Sequence, residues 1–360
     1  MPSLQKLLSI KSNDYTKLAN VFKEKTGINI INGINKKIPL TKSCSIIIPF
    51  YRNFIFLKRN LTSLQYQNLP SDFKRNKVEI IIINDGSSIN LKRIIQQTRK
   101  FYSVVYLKLK KNYGRAIARN LGLLYAQNEI IIFLDEDIVV PKDFLATHLL
   151  RHEVIDKCII VGFRHNITLK ELVLRLDDLK QKIVKLPDYK KDFRYKKFIP
   201  SEWKDIYKDL PPDSFNKMCY PLKESNYFKD FGKGKVLGVW ELPFMFLTSN
   251  TSVSRKFVLE VGGFDMRFRG WGLEDVHLGA KLIARGLYLI PNLHATVYHL
   301  IKRPSLKEKK IEDYKRNFKI YKKLKNENLS FLNEAQWKEK MIKYFASKTL
   351  GHDKPQGIQN

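Results

Sequence analysis

Three acidic residues stand together at Asp135-Glu136-Asp137, directly after the apolar run Ile130-Ile-Ile-Phe-Leu134. A buried strand that ends this way delivers carboxylates to the C-terminal edge of a sheet, where open α/β folds bind their ligands. Carboxylates at i and i+2 of extended chain face the same way and can together hold one hard divalent ion, Mg2+ or Mn2+. Such an ion can offset the charge growing on a departing diphosphate. Read alone, the triplet is also a solvated acidic turn. Asn84-Asp85-Gly86-Ser87-Ser88 repeats the arrangement after another apolar strand. Asp85 can accept a hydrogen bond from a base N–H, and Gly86 lets the backbone turn tightly. By itself that segment is a turn with a helix cap; two strands of one sheet ending in Asp weigh more than either.

A third signal is Gly262-Gly-Phe-Asp-Met-Arg-Phe-Arg-Gly-Trp-Gly-Leu-Glu-Asp275, which leads into a helical run. Gly270 and Gly272 allow close backbone approach beside Trp271, whose flat face can stack on a sugar ring. Glu274 and Asp275 then lie at a helix N-terminus, which stabilises negative charge. A carboxylate kept ionised there can act as general base toward an acceptor hydroxyl. The competing explanation is a helix cap beside a core Trp.

These residues need a sheet to carry them. Short apolar runs fall at residues 45–49, 78–83, 104–108, 130–134 and 159–161, with helical stretches at 54–67, 90–102 and 113–127 between them. Runs of Ile, Val and Leu without alternation indicate strands buried on both faces, and strand–helix repetition indicates a largely parallel, doubly wound α/β sheet. No GxGxxG follows the first strand, so a dinucleotide fingerprint is missing. Residues 1–42 read as a helical N-terminal extension, with Asn13-Asp14 capping a helix that ends at Gly27. Residues 165–235, broken by prolines, read as an insertion or lid within a domain spanning 43–300, and residues 301–360 as a basic tail with two amphipathic helices.

Lys and Arg number 66 against 35 Asp and Glu, a net charge of +31 that attracts phosphorylated substrates, anionic lipid or nucleic acid. Compositional bias toward Lys, Ile and Asn accounts for the same excess. Cys44, Cys158 and Cys219 form no metal or disulfide pattern, which suits a reducing, cytoplasmic setting. No window approaches the ~20 apolar residues of a membrane span, so any membrane is met at its inner surface, and the basic stretch 307–325 is expected to hold the protein to an anionic membrane or an acidic glycan.

The set Ser45-Ile-Ile-Ile-Pro-Phe-Tyr51, Ile83-Asn-Asp-Gly-Ser87, Asn112-Tyr-Gly-Arg-Ala-Ile-Ala-Arg-Asn-Leu-Gly122, Leu134-Asp-Glu-Asp137 and Gly262–Asp275, in this order, resembles the family 2 glycosyltransferases. The last piece is similar to a galactosyltransferase segment. The resemblance covers residues 45–162 and 238–299 and leaves the insertion, the extension and the tail outside it. It implies a GT-A, Rossmann-like fold and a nucleotide-sugar donor, a UDP-sugar above others. It further implies a metal-dependent hexosyl- or N-acetylhexosaminyltransferase acting on a glycan hydroxyl in polysaccharide biosynthesis. By the same resemblance, Pro49, Tyr51 and Asp85 hold the base and Arg119 lines the donor site. Asp135 meets ribose and metal, Asp137 binds the Mn2+ or Mg2+ directly, and His299 completes the metal shell. Asp275 is the base of an inverting displacement, while Glu274 contacts sugar hydroxyls. Nucleic acid is not expected as a partner.

Two departures stand out. His277 occupies the place where related sequences carry another acid, and it competes with His299 as a ligand. Phe244–Asn250 keeps the shape of the family's segment without its Thr-Gly-Asn wording, which leaves the donor sugar open. A non-catalytic basic binding protein on a degenerate transferase fold is the alternative, and a nucleotidyltransferase ranks below it. The complete acidic set Asp85, Asp135, Asp137, Glu274 and Asp275 argues for the enzyme.

Overall fold

The computed structural model describes residues 2–10, 16–28, 30, 38–176, 183, 185–192, 194, 236–237, 240–301, 307–346 and 348–352. Its strands are β1 (Cys44–Phe50), β2 (Val78–Asn84), β3 (Ser103–Leu109), β4 (Ile130–Leu134), β5 (Ile138–Val139), β6 (Cys158–Ile167), β7 (Val236–Leu237), β8 (Trp240–Glu241), β9 (Asn250–Ser254), β10 (Tyr288–Leu300) and β11 (Thr349–His352). The helices are α1 (Leu4–Ile10), α2 (Thr16–Thr26), α3 (Phe54–Gln65), α4 (Ser71–Lys77), α5 (Lys92–Arg99), α6 (Arg115–Tyr125), α7 (Phe144–Val154), α8 (Leu169–Val173), α9 (Arg255–Glu260), α10 (Glu274–Ala284), α11 (Lys307–Lys325) and α12 (Glu334–Phe345).

Nine strands join in the order β11-β3-β2-β1-β4-β9-β6-β10-β5, and β7 with β8 forms a separate ribbon. Strands β1, β2, β3, β4, β6 and β10 run in one direction, and β9, β5 and β11 oppose them. The sheet is therefore mixed α/β and mostly parallel, as the Ile-rich runs predict. Their lack of alternation has a direct cause, because each strand feeds two cores. Ile46, Ile48, Ile80, Ile82, Ile130 and Ile132 face one core with α3 and α5. Ile47, Ile81, Ile83, Ile131 and Phe133 face the other, with α6, α9, α10 and α12. Fully burying one such side chain contributes roughly 1.5–3 kcal/mol, so both faces of the central strands are driven to be covered.

Chain order runs outward from β1 to β2 and β3, then returns through α6 to β4 on the other side of β1. The β1/β4 junction is thus a topological switch point, where a crevice opens beyond the strands' carboxyl ends. Helices from both flanking regions are built into the fold: Phe22 of α2 and Trp337, Met341 and Phe345 of α12 lie in the larger core. Helix α2 ends at Gly27 (φ +69°), while Asn13-Asp14 lies outside the described residues. Strand β6 runs on to Ile167 and is followed by α8, so the first residues of the 165–235 segment continue the sheet; most of that segment lies outside the described residues. Among the described residues no helix is long and apolar enough to cross a membrane.

A buried polar chain ties α7 to β9 and β6. His148 contacts Asn250 Oδ1 (2.9 Å) and Ser252 Oγ (2.8 Å); His152 contacts the same Oγ (2.9 Å) and Cys158 Sγ (3.3 Å). Asn250 Nδ2 donates to the carbonyls of Phe163 and Ala295, so its Oδ1 is the end that accepts from His148 Nε2–H. Two later roles follow: Ser252 donates to His148 Nδ1, and His152 Nε2–H donates to Ser252, while the Cys158 thiol donates to the Ile155 carbonyl at 3.2 Å. With Nε2–H donating to Asn250 and Nδ1 accepting from Ser252, the His148 imidazole is neutral. Burial pushes both imidazoles down from 6.5 to about 3. Their stabilising neutrality is fully present above pH 6.5 and is lost as pH falls toward 3, because the unfolded chain takes up protons that the folded chain refuses. The urea midpoint should fall between pH 7 and pH 5, by up to about 1.4 kcal/mol per pH unit for each histidine. His148→Gln should flatten that dependence, and an unchanged slope would refute the assignment.

Candidate active site

The sequence-identified residues converge at the switch point. Phe50 pairs with Asn84 in register, which puts Pro49 and Tyr51 beside Asp85 at the edge of the sheet. The Asp85 backbone N–H donates to the Phe50 carbonyl at 2.9 Å. Its carboxylate accepts from the Tyr113 N–H (2.7 Å) and the Gly114 N–H (2.9 Å), so it fastens the loop entering α6. Burial raises the Asp85 pKa, and those two hydrogen bonds offset part of the rise. Gly86 is obligatory here: it sits at φ +78°, and a Cβ would lie 2.2 Å from the Lys111 carbonyl carbon.

The acidic turn after β4 is held by groups the sequence did not single out. Asn60 on α3 donates to the Asp135 carbonyl (3.0 Å), and Glu136 accepts from the Tyr51 N–H (2.9 Å). Glu136 thus braces the turn while its neighbours face the crevice. Asp135 Oδ1 accepts from Arg119 at 2.8 Å. The Leu300 N–H donates to the Asp137 carbonyl (2.8 Å), and β10 pairs His299 with Ile138. That register brings His299 Nε2 to 3.5 Å from Asp137 Oδ2. His277 instead packs between Phe268 and Tyr321.

The donor set at Asp137 and His299 fits a divalent cation. Asp137 Oδ1 is sealed from solvent with no hydrogen-bond partner. His299 Nδ1 lies 2.8 Å from Asn166 Oδ1, and a proton on Nδ1 leaves the Nε2 lone pair facing the Asp137 carboxylate. A carboxylate and a neutral imidazole together suit Mn2+ and Mg2+. Burial raises the Asp137 pKa, but without a metal the His299 ring in its protonated form, with Arg115 and Arg164, outweighs it, so the net shift is downward. Among the described residues no group of three His, Cys, Asp or Glu side chains gathers around one point.

Arg119 joins the two halves of the site. It is buried, donates to Asp135 Oδ1 at 2.8 Å and to Glu274 Oε1 at 3.1 Å, and lies over the Phe264 ring at 5.5 Å. Arg115, one turn earlier on α6, reaches Glu274 at 4.0 Å. The Gly262-Gly263-Phe264 turn is clamped from both sides. Asn120 exchanges two hydrogen bonds with the Phe264 backbone (2.8 and 2.9 Å), and Lys281 Nζ donates to the carbonyls of Val261 (2.7 Å) and Gly263 (2.6 Å). Burial lowers the Lys281 pKa to about 8.

Glu274 and Asp275 open α10, entered through Leu273 at φ +71°. The field of a helix N-terminus, worth about 0.3–1 kcal/mol, is expected to keep Asp275 ionised. Burial, reinforced by the adjacent Glu274 charge, overrides that field and raises the Asp275 pKa to about 7. The result is a carboxylate poised near neutrality rather than a permanently charged one.

Residues 45–206 match the family model of glycosyl transferase family 2. Residues 245–323 match the model described as the N-terminal domain of galactosyltransferase. Over the first of these segments the chain is similar to glycosyltransferase family 2. The second match runs through most of α11, so it takes in the first part of the tail, which the sequence reading left outside the resemblance. The reason is physical: α11 lies against the Gly-Trp-Gly segment. Among curated relatives, an uncharacterised glycosyltransferase of Bacillus subtilis, YfnE, is 28% identical over 68% of this chain and 61% of its own length. The chondroitin synthase of Pasteurella multocida is 26% identical over 77% of this chain and 26% of its own length. A validoxylamine A glucosyltransferase of Streptomyces hygroscopicus is 26% identical over 71% of this chain and 50% of its own length. The chain therefore spans less than two thirds of each of these relatives. The crystal structure of Staphylococcus aureus TarS residues 1–349 superposes with a TM-score of 0.51 at 14% identity, covering 85% of this chain and 72% of that one, which bears on the fold.

Proposed function

We propose that this chain is a glycosyltransferase that moves a hexosyl or N-acetylhexosaminyl group from a UDP-sugar to a hydroxyl of a glycan, inverting the anomeric configuration. The observation that carries the reading is Arg119, which binds Asp135 and Glu274 at once and so gathers the donor-side and acceptor-side acids around one crevice. The name of the chondroitin synthase relative supports a glycan product.

In this reading Pro49, Tyr51 and Asp85 form the base pocket. Asp137 and His299 would hold Mn2+ or Mg2+, which when bound supplies positive charge beside the donor diphosphate. Arg115 and Arg119 add fixed cationic charge on the same side. Trp271 offers its face to the acceptor sugar, and Glu274, fixed by Arg119, accepts from a sugar hydroxyl. Asp275 takes the proton of the attacking hydroxyl as that oxygen forms its bond to the anomeric carbon and the nucleoside diphosphate leaves. A carboxylate with pKa about 7 is well matched to that task, since it is half ionised at neutral pH yet basic enough to accept a proton.

Calorimetry with UDP, GDP, CDP and ADP, each with Mn2+ and with EDTA, tests the donor side. UDP should bind in Mn2+ and lose its affinity in EDTA. Preference for another nucleotide would overturn the UDP assignment, and binding that ignores EDTA would overturn the metal.

A further inference from the structure

Helix α11 grips the Gly-Trp-Gly segment through one face. Residues 310, 313, 314, 317, 321 and 324 recur at i, i+3, i+4 and i+7 spacing, which places them on a single stripe. Asp313 Oδ2 accepts from the Trp271 N–H at 3.1 Å. Asn317, wholly buried, donates through Nδ2 to the carbonyls of Arg269 (2.9 Å), Trp271 (3.2 Å) and Gly272 (2.8 Å). Tyr314 packs on the Trp271 ring with centroids 6.1 Å apart, and Lys310 Nζ lies 5.9 Å over the same ring. Gly270 is shaped to this contact: at φ +69°, its Cβ would sit 2.1 Å from Asp313 Oδ2.

A stretch holding two glycines at positive φ loses much conformational entropy on ordering, so it does not fix a tryptophan ring unaided. Hydrogen bonds from a helix side chain to three successive parts of that backbone supply the missing constraint. We infer that Asp313 and Asn317 are positioning residues that set the pose of Trp271, so that α11 is a structural arm of the acceptor site. The inference rests on the acceptor-side reading of Trp271 proposed above. It also accounts for the helix's apolar stripe: Tyr314, Tyr321 and Leu324 are buried with Phe268, Leu273 and Val276. An amphipathic membrane anchor lays that stripe in the bilayer, and here the protein already occupies it.

The test uses the full chain labelled with 5-fluorotryptophan, whose four tryptophans give four fluorine resonances, with Trp271 assigned through Trp271→Phe. Asn317→Asp is nearly isosteric and turns a donor toward three carbonyls into an acceptor. It should shift and broaden the Trp271 resonance alone and leave UDP–Mn2+ affinity unchanged by calorimetry. UDP release stimulated by a panel of glycan oligosaccharides should fall on the order of 10²-fold, the cost of a misplaced reacting partner. Asp313→Asn should move the same resonance, and it serves where Asn317→Asp does not fold. An unmoved Trp271 resonance in folded variants would overturn the inference. So would a UDP affinity that falls in step with transfer, since the helix would then merely hold the domain together. A wild-type chain that binds none of UDP, GDP, CDP and ADP would instead defeat the transferase reading, and the fluorine spectrum would still report on the helix.

Discussion

Asp275→Asn is expected to lower kcat by about 10²–10⁴-fold while leaving UDP–Mn2+ binding intact, the signature of a lost general base. The amide fits the same space and still accepts from the Val276 N–H, which Asp275 Oδ1 now engages at 2.8 Å. What disappears is the capacity to take a proton. The pH profile supplies an independent check. Burial and then the Glu274 charge raise the Asp275 pKa to about 7, and the reaction needs the ionised form, so activity should fall on the acid side with a midpoint near that value. Glu274→Gln removes the neighbouring charge and should move the midpoint to lower pH, whatever it does to the absolute rate. Product analysis by NMR completes the test: a product that retains the donor's anomeric configuration would exclude direct attack by an acceptor activated at Asp275. An unchanged rate in Asp275→Asn would remove this residue from the role altogether.

Arg119→Met should be the most destabilising single change in the site, by about 3–5 kcal/mol in urea unfolding. Methionine restores much of the volume but none of the charge. It leaves Glu274, whose side chain is 4% exposed, without the partner now 3.1 Å away, and Asp135 without its 2.8 Å contact. Removing one partner of a buried pair costs more than removing both, because the orphaned charge keeps its desolvation penalty. The double variant Arg119→Met/Glu274→Gln should therefore be more stable than Arg119→Met alone. Strict additivity of the two changes would show that the contact is energetically idle. Because Arg119 spans α6, the β4 turn and the start of α10, the same variant should also weaken catalysis by letting those elements drift apart.

The residues overlooked in the sequence share one trait that explains the oversight. Asn60 stands among Leu57, Leu61 and Leu64 on α3, Asn120 beside Leu121 and Leu123 on α6, and Asn317 in the Tyr314–Tyr321 stripe of α11. Each is a polar group on an apolar helix face, which is costly unless it finds a partner. That pattern signals a buried hydrogen bond. It does not reveal the partner, which lies 75 residues away for Asn60 and 144 for Asn120.

Local chemistry determined much by itself. Unalternating Ile-rich runs require strands buried on both faces, acids after β2 and β4 require a polar edge, and glycines around Trp271 require a turn that no other residue takes. These follow from backbone sterics and the hydrophobic effect, which act within a few residues. Only the tertiary structure decided that His299 rather than His277 faces Asp137, because strand register, not sequence distance, selects the neighbour. Likewise, burial beside Glu274 brings Asp275 to about 7 despite its helix N-terminus. The structure also assigned the basic helix α11 to the site. Its apolar stripe binds whichever complementary face it meets first, and here the Gly-Trp-Gly segment supplies one.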